Sequence, residues 1–187
     1  MAVMLWLVRH GETAWSLSGQ HTGTTDVPLT EHGREQAVEV GKLLQGKHFA
    51  LVLTSPMGRA RETCRLAGIQ NPVVDDNLRE WDYGDYEGLS TPDVQKMRPG
   101  WSLWKDGVVH GETVEEVGER AKAVITKALA AEGEVLLVAH GHILRILTAC
   151  WLGLPADDGR LFALETATLS SLGYEHQTRV IRSWNSR

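Results

Sequence analysis

Three short apolar runs, each followed by a polar signature, constrain most strongly how this chain of 187 residues can fold. They comprise residues 2–8, 49–53 and 135–139, which precede Arg9-His10-Gly11, Thr54-Ser55-Pro56 and His140-Gly141, respectively. Short continuous apolar runs are typical of strands in a parallel sheet that is buried on both faces. The sequence therefore predicts at least three buried strands, each ending in polar residues.

Helical patterns lie between these runs. Thr30 is a candidate N-cap for one helix, and the capping box that starts at Thr113 begins another. Ser55 followed by Pro56 is a typical N-cap and first-turn pair, which would place Arg59 in the first turn of a helix directly after the second strand. The alternation predicts an α/β fold: a three-layer α/β/α sandwich with a mainly parallel central sheet.

The remaining segments are less regular. Shorter strands are predicted at 160–164, 166–174 and 178–184, with a hairpin around 175–177 joining the last two. Residues 81–111, which include three of the seven tryptophans, are predicted to form an excursion over the active site. The whole chain, 1–187, is predicted to be a single domain of ordinary size.

Charge and composition limit the partners. The formal net charge of −5 leaves no broad basic face for a polyanion, so nucleic acid is an unexpected partner. Residues 2–8 are too short to span a membrane and lack the features of a secretory signal, which indicates a cytoplasmic protein without a membrane partner. Cys64 and Cys150 lack metal-ligand spacing, and neither a metal ion nor a cofactor is expected.

Basic side chains follow the predicted strands. Ligands of an open parallel sheet bind beyond the carboxyl ends of its strands, where Arg9, His10 and His140 are expected to meet. Arg59 joins them from the helix after the second strand. Transfer of a phosphoryl group depends on positioning and on stabilising its charged oxygens, a task suited to arginine forks. The residues gathered at this edge of the sheet therefore predict a phosphoryl-transfer site for a small phosphorylated molecule.

His10 is the candidate nucleophile, because a neutral imidazole nitrogen can attack phosphorus and no serine or cysteine lies in a recognisable nucleophile motif. Simpler roles compete with these assignments. An isolated histidine at a strand end is more often structural, His140 could bond only to nearby backbone, and Arg59 could form a surface ion pair with Glu62. The adjacent Arg9 and the second His-Gly pair favour the catalytic interpretation.

Expulsion of an alkoxide also needs a proton donor. Four acids lie in residues 78–88, namely Glu80, Asp82, Asp85 and Glu87. The chemistry of these four side chains alone does not show which of them donates the proton.

The motifs resemble those of the histidine phosphatase superfamily, which includes the cofactor-dependent phosphoglycerate mutases. The resemblance runs in family order through Leu7-Val8-Arg9-His10-Gly11-Glu12-Thr13, Thr22-Gly23, Asp26-Val27-Pro28-Leu29-Thr30, Ser55-Pro56-Met57-Gly58-Arg59-Ala60, the Glu80 segment and Ala139-His140-Gly141-His142. It implies that His10 is phosphorylated, that Glu80 is the general acid, and that Arg9, Arg59 and His140 hold the phosphate. It also implies substrate or phosphate contacts from Thr22 and Gly23, and Ser16 and Gln20 lie near enough in sequence to join them.

Within the superfamily, the segments around Glu80 and His140 are similar to a branch of acid phosphatases and sedoheptulose-1,7-bisphosphatase. This likeness favours phosphomonoester hydrolysis, of sugar phosphates among others, over mutase activity. Further candidate substrate contacts are Trp81, Asp82, Tyr83, Gly141 and His142. A phosphoglycerate mutase-type transferase and a phosphate-binding protein without catalysis are the two competing functions. A binding protein would need the cations but not a proton donor.

Overall fold

The computed structural model of the protein describes residues 3–187 and contains a six-stranded sheet with the strand order β3-β2-β4-β1-β5-β6. The strands are β1 (Leu5–Arg9), β2 (Leu51–Thr54), β3 (Val73–Val74), β4 (Val135–Ala139), β5 (Leu169–Glu175) and β6 (Thr178–Ser186). Strands β1 to β4 are mutually parallel where they pair, whereas β5 and β6 pair antiparallel. The predicted mainly parallel sheet is confirmed. Ala2, in the first predicted run, lies outside the described residues.

Within residues 3–187, seven α-helices connect or flank the strands. They are α1 (Ala14–Ser18), α2 (Glu31–Leu43), α3 (Gly58–Leu66), α4 (Thr91–Met97), α5 (Leu103–Asp106), α6 (Val114–Leu129) and α7 (Gly141–Trp151). Short 3₁₀ helices cover Asp76–Leu78, Gly84–Tyr86 and Ala156–Leu161. The Thr30 hydroxyl accepts the Gly33 N–H at 2.9 Å at the start of α2, and Thr113 forms a complete capping box at the start of α6, as predicted.

The buried side chains form two hydrophobic clusters on opposite faces of the sheet. Helices α6 and α7 pack on one face, where Leu7 and Leu137 join the cluster. Helices α2 and α3 pack on the other, where Val8 and Leu136 point. Because neighbouring strand residues face opposite layers, both faces are apolar and the runs are continuous. The predicted three-layer α/β/α sandwich is confirmed.

Two local predictions are wrong. Residues 160–164 form no strand, because a 3₁₀ helix extends to Leu161 and the Arg145 guanidinium binds the carbonyl oxygens of Gly159 and Arg160. Ser55 does not cap α3: the helix begins at Gly58, with Met57 in the N-cap position. The Ser55 hydroxyl instead lies 2.7 Å from His140 Nε2, while it also accepts the Met57 N–H at 3.3 Å.

The strand ends that carry polar residues lie side by side. Beyond the regular ladder, the His10 N–H donates to the Ala139 carbonyl and the Ser55 N–H donates to the Val138 carbonyl, each at 3.0 Å. These bonds bring the ends of β1, β2 and β4 to one edge of the sheet. Among residues 3–187, no helix has the length and apolar character needed to cross a membrane.

Candidate active site

His10 follows β1 and is 4% exposed. Its Nδ1 lies 2.7 Å from the Gly11 carbonyl oxygen, and because a carbonyl can only accept, Nδ1 carries the proton. Burial lowers the pKa of His10 well below its usual value, and the positive charges of Arg59 and Arg9 lower it further. The ring is therefore neutral, and the lone pair on Nε2 is available for attack.

Close backbone packing sets the position of the loop that carries His10. A Cβ atom on Gly11 would lie 2.3 Å from the Gly33 carbonyl oxygen, so only glycine fits at that approach. The Gly11 N–H also donates to the Thr63 hydroxyl in α3 at 3.1 Å. The first turn of α2 and the middle of α3 thus hold the loop that carries His10 against the sheet.

Arg9 carries an unused hydrogen-bond donor into the same region. Its Nη1 donates to the Leu164 carbonyl at 2.6 Å, while its Nε is buried and has no partner within residues 3–187. Burial lowers the pKa of the guanidinium, although the negative charge of Glu80 opposes this shift. A buried N–H without a partner costs free energy, which an anionic oxygen at this position would recover.

Arg59 is 1% exposed and is held by backbone carbonyls, so the alternative of a surface ion pair with Glu62 does not apply. Its Nη1 donates to the Thr25 carbonyl at 2.9 Å, and its Nη2 donates to the carbonyls of Thr22 and Gly23 at 3.0 Å. Glu62 pairs with Arg65 instead. A guanidinium has five N–H groups, and Arg59 Nε is used as well, so little of this donor set remains free.

His140 completes a closed network behind His10. Its Nδ1 accepts from Arg59 Nε at 3.2 Å, so the proton lies on Nε2 and is donated to the Ser55 hydroxyl at 2.7 Å. Burial lowers the pKa of His140 well below its usual value, with Arg59 and His10 adding to the effect. The His10 and His140 rings lie edge to face with their centroids 5.1 Å apart. In this arrangement, both nitrogens of His140 are occupied.

Glu80 lies at the N-terminus of α7 and is 7% exposed. Its Oε1 accepts the N–H groups of Trp81 and Ile143 at 3.0 and 2.9 Å, and its Oε2 accepts that of His142 at 2.9 Å. These three N–H groups hold both oxygens of the Glu80 carboxyl group in a fixed position beside the first turn of α7.

A cavity of about 410 Å³ contains Arg9, His10 and Glu80 in its wall. Six predicted contact residues line it as well: Ser16, Gln20, Thr22, Tyr83, Gly141 and His142. Two of these residues contact each other in the cavity wall: the Tyr83 hydroxyl lies 2.6 Å from His142 Nδ1. Burial raises the pKa of Tyr83 well above its usual value and lowers that of His142 well below its own, so both groups are neutral.

Comparison with known proteins agrees with this geometry. Residues 5–187 match the sequence model of the histidine phosphatase superfamily, branch 1. The chain belongs to this superfamily. This histidine phosphatase is 43% identical over 179 residues to an acid phosphatase of Mycobacterium tuberculosis, covering 94% of this chain and 88% of the relative. It is 37% identical over 183 residues to sedoheptulose 1,7-bisphosphatase of Saccharomyces cerevisiae, covering 79% and 67%, respectively.

A solved structure of an open reading frame product from Mycobacterium tuberculosis superposes on this histidine phosphatase with a TM-score of 0.92 at 40% identity, covering 98% of this chain and 97% of the other. These two sequence relatives are named as phosphatases. A third, from Klebsiella pneumoniae, is named a probable phosphoglycerate mutase; it is 32% identical over 193 residues, covering 97% of this chain and 90% of the relative. The predicted family is therefore confirmed, and the chain is a hydrolase of the phosphatase class.

Three predicted contact residues of the histidine phosphatase lie away from the main cavity. Trp81 is fully buried beneath it, where its Nε1 donates to the Glu112 carbonyl at 2.8 Å. Gly23 and Asp82 line a smaller neighbouring cavity of about 350 Å³, on which Glu80 also borders. Glu80 thus lies between two cavities.

Other residues of the main cavity were missed from the sequence, notably Arg145, Leu164 and His21. Arg145 follows Gly141 by four positions and His142 by three, a spacing that places all three on one face of α7. This spacing could have identified Arg145. Leu164 takes part through its carbonyl oxygen, which accepts a hydrogen bond from Arg9, and the sequence carries no signal for such a backbone contact.

Proposed function

We propose that this phosphatase hydrolyses phosphomonoesters of small metabolites through a phosphohistidine at His10. The observation that carries the proposal is the neutral imidazole of His10, with its protonated Nδ1, in one cavity with the guanidinium of Arg9. In the first step, His10 Nε2 forms a bond to phosphorus as the ester P–O bond breaks. Arg9 binds a phosphoryl oxygen and offsets its charge.

Glu80 is proposed to donate a proton to the leaving oxygen in that step. Glu80 borders the cavity that contains His10, and three backbone N–H groups fix the position of its carboxyl oxygens there. In the second step, the carboxylate takes a proton from water as the water oxygen attacks phosphorus. The P–N bond then breaks, which releases inorganic phosphate and restores neutral His10.

Arg59 and His140 support the phosphoryl group from behind His10. Arg59 contributes a buried positive charge next to the nucleophile even while its N–H groups bond to carbonyls. For a direct contact to the phosphate, Arg59 must exchange one of those bonds, or His140 must release the Ser55 hydroxyl.

A second arginine in the cavity wall, Arg145, favours a substrate with a second anionic group. Arg145 Nε and Nη2 donate to carbonyl oxygens, whereas its Nη1 has no hydrogen-bond partner within residues 3–187. The guanidinium lies 4.8 Å from the centroid of the Trp104 ring, which also lines the cavity. A sugar that carries two phosphates, as the name of the yeast relative implies, suits a cavity that is lined by two arginines, Arg9 and Arg145.

Mixing the protein with a ³²P-labelled aryl phosphate and quenching within the first turnover tests the mechanism. We expect an acid-labile phosphate on His10 and its absence in His10→Ala, which should release no inorganic phosphate. Label on another residue, or turnover by His10→Ala, would contradict the proposed nucleophile. Turnover of this substrate by the wild-type protein excludes the binding-protein function.

The substrate class is tested by measuring kcat/KM on sugar bisphosphates and on matching monophosphates, in wild type and in Arg145→Met. We expect the variant to lose its preference for bisphosphates while it retains monophosphate hydrolysis. An unchanged preference would contradict the role of Arg145.

Incubation with 3-phosphoglycerate and a bisphosphoglycerate primer tests mutase activity. We expect this incubation to release inorganic phosphate without forming an isomer of 3-phosphoglycerate. The cytoplasmic location stays a prediction.

A further inference from the structure

The end of the chain binds the segment that holds the proposed phosphate-binding arginine. Trp184 Nε1 and Asn185 Nδ2 donate to the same acceptor, the Ala163 carbonyl oxygen, at 2.6 and 3.0 Å. Asn185 Oδ1 also accepts the Glu165 N–H and the Thr168 hydroxyl, each at 3.0 Å. Two neighbouring side chains of β6 thus bind residues 163–168 on both sides of Leu164.

Residues 163–168 in turn contact the His10 loop twice. The Leu164 carbonyl accepts the one side-chain hydrogen bond that Arg9 donates within residues 3–187. The Ala167 N–H points to the carbonyl oxygens of Arg9 and His10, at 2.9 and 3.2 Å. Both the guanidinium of Arg9 and the backbone beneath it therefore depend on where this segment lies.

The regular pairing of β6 with β5 is interrupted at the residues that form these contacts. Leu169 pairs with Ser186 and Ser171 with Ser183, so β6 has one more residue than β5 between these pairs. Such a bulge redirects side chains and is common beside active sites. Asn185 lies in it with φ of 53°, a left-handed conformation that asparagine tolerates better than most residues. Its side chain consequently bonds to the loop.

We propose that Asn185 and Trp184 are positioning residues for phosphate binding, acting through the Ala163-Leu164 backbone on the Arg9 guanidinium. When they are lost, the Leu164 carbonyl is no longer held in place, and the Arg9 guanidinium that donates to it is no longer fixed beside His10. This inference rests on the proposed role of Arg9 as a phosphate ligand. A role in sheet stability alone would lower the melting temperature without weakening phosphate binding by the folded protein.

The test measures the dissociation constant for inorganic phosphate at 25 °C in the folded chain of 187 residues. Asn185→Gly removes the side-chain bonds without straining the left-handed backbone, and Trp184→Phe removes one donor while keeping an aromatic ring. Ser183→Ala is the matched control, because it removes a bond to Ser171 in the same strand pair but none to residues 163–168. Arg9→Met and the Arg9→Met/Asn185→Gly double variant complete a cycle.

We expect Asn185→Gly and Trp184→Phe each to weaken phosphate binding by about tenfold, the scale of one hydrogen bond to an ion. Ser183→Ala should bind phosphate as the wild type does. Arg9→Met should weaken binding more strongly, and adding Asn185→Gly should then cause no further loss. Wild-type affinity in both β6 variants, or full additivity in the double variant, would overturn the proposal. Wild-type affinity in Arg9→Met would instead refute the phosphate role of Arg9.

Discussion

Mild acid should destabilise this phosphatase through its buried neutral histidines. Burial, reinforced by nearby arginines, lowers the pKa values of His10, His140 and His142 well below the usual 6.5. Above pH 6.5, neither the folded nor the unfolded state carries these protons. As the pH falls through 6.5, the unfolded chain binds them while the folded protein does not, so the free energy of unfolding decreases.

The size of the effect follows from counting protons. One histidine that is protonated only in the unfolded state removes about 1.4 kcal/mol between pH 7.5 and pH 5.5. Three such residues remove about 4 kcal/mol over this range, a large part of the 5–15 kcal/mol that is typical of a folded domain. Burial also lowers the pKa of His21, which adds in the same direction.

Urea unfolding at pH 7.5, 6.5 and 5.5 measures this loss directly. The free energy of unfolding of the wild type should fall with decreasing pH, and His10→Gln should show a smaller fall because one of the three protons is removed. A free energy that stays constant between pH 7.5 and 5.5 would refute the inference that these rings are buried and neutral. An identical pH dependence in His10→Gln would refute the contribution of His10.

Three substitutions test the packing, the proton donor and the cavity wall. Gly33→Ala places a Cβ atom 2.1 Å from the Glu12 carbonyl oxygen. Because this contact displaces the loop that carries His10, the substitution should lower the free energy of unfolding by about 2 kcal/mol and reduce kcat/KM. Glu80→Gln should lower kcat/KM for alkyl phosphates by about 10²-fold but much less for p-nitrophenyl phosphate, whose leaving group needs no proton. Tyr83→Phe removes the hydrogen bond to His142 and should raise KM more than it lowers kcat, measured by steady-state kinetics.

A matched control or a specific contrary result tests the reasoning behind each of these substitutions. Gly46→Ala is the control for Gly33→Ala, because no atom lies within 4 Å of the added Cβ and only backbone strain at φ of 75° remains. Equal losses of kcat/KM on both substrates would contradict proton donation by Glu80. Unchanged KM in Tyr83→Phe would show that the position of the His142 ring does not affect substrate binding.

The sheet could be predicted from sequence because the signals for its buried strands are local. Each apolar run of β1, β2 and β4 is a continuous stretch, and caps at Thr30 and Thr113 start helices through contacts within three residues. Ser55 shows where local reasoning fails. Its hydroxyl can cap a helix or bind a distant group, and His140, 85 residues away, forms the shorter contact.

The same competition explains which parts of the candidate site the sequence could not predict. The strand ends place Arg9, His10 and His140 together regardless of the details of side-chain bonding. Whether a buried cation faces a ligand or the protein depends on which acceptors the loops bring to it. For Arg59, the loop carbonyls of residues 22–25 occupy three bonds; for Arg9, a single carbonyl from a distant segment leaves Nε free. Arginine type and spacing are therefore sufficient to predict a candidate anion site, but only the tertiary arrangement of carbonyl oxygens determines which arginine keeps an unpartnered donor.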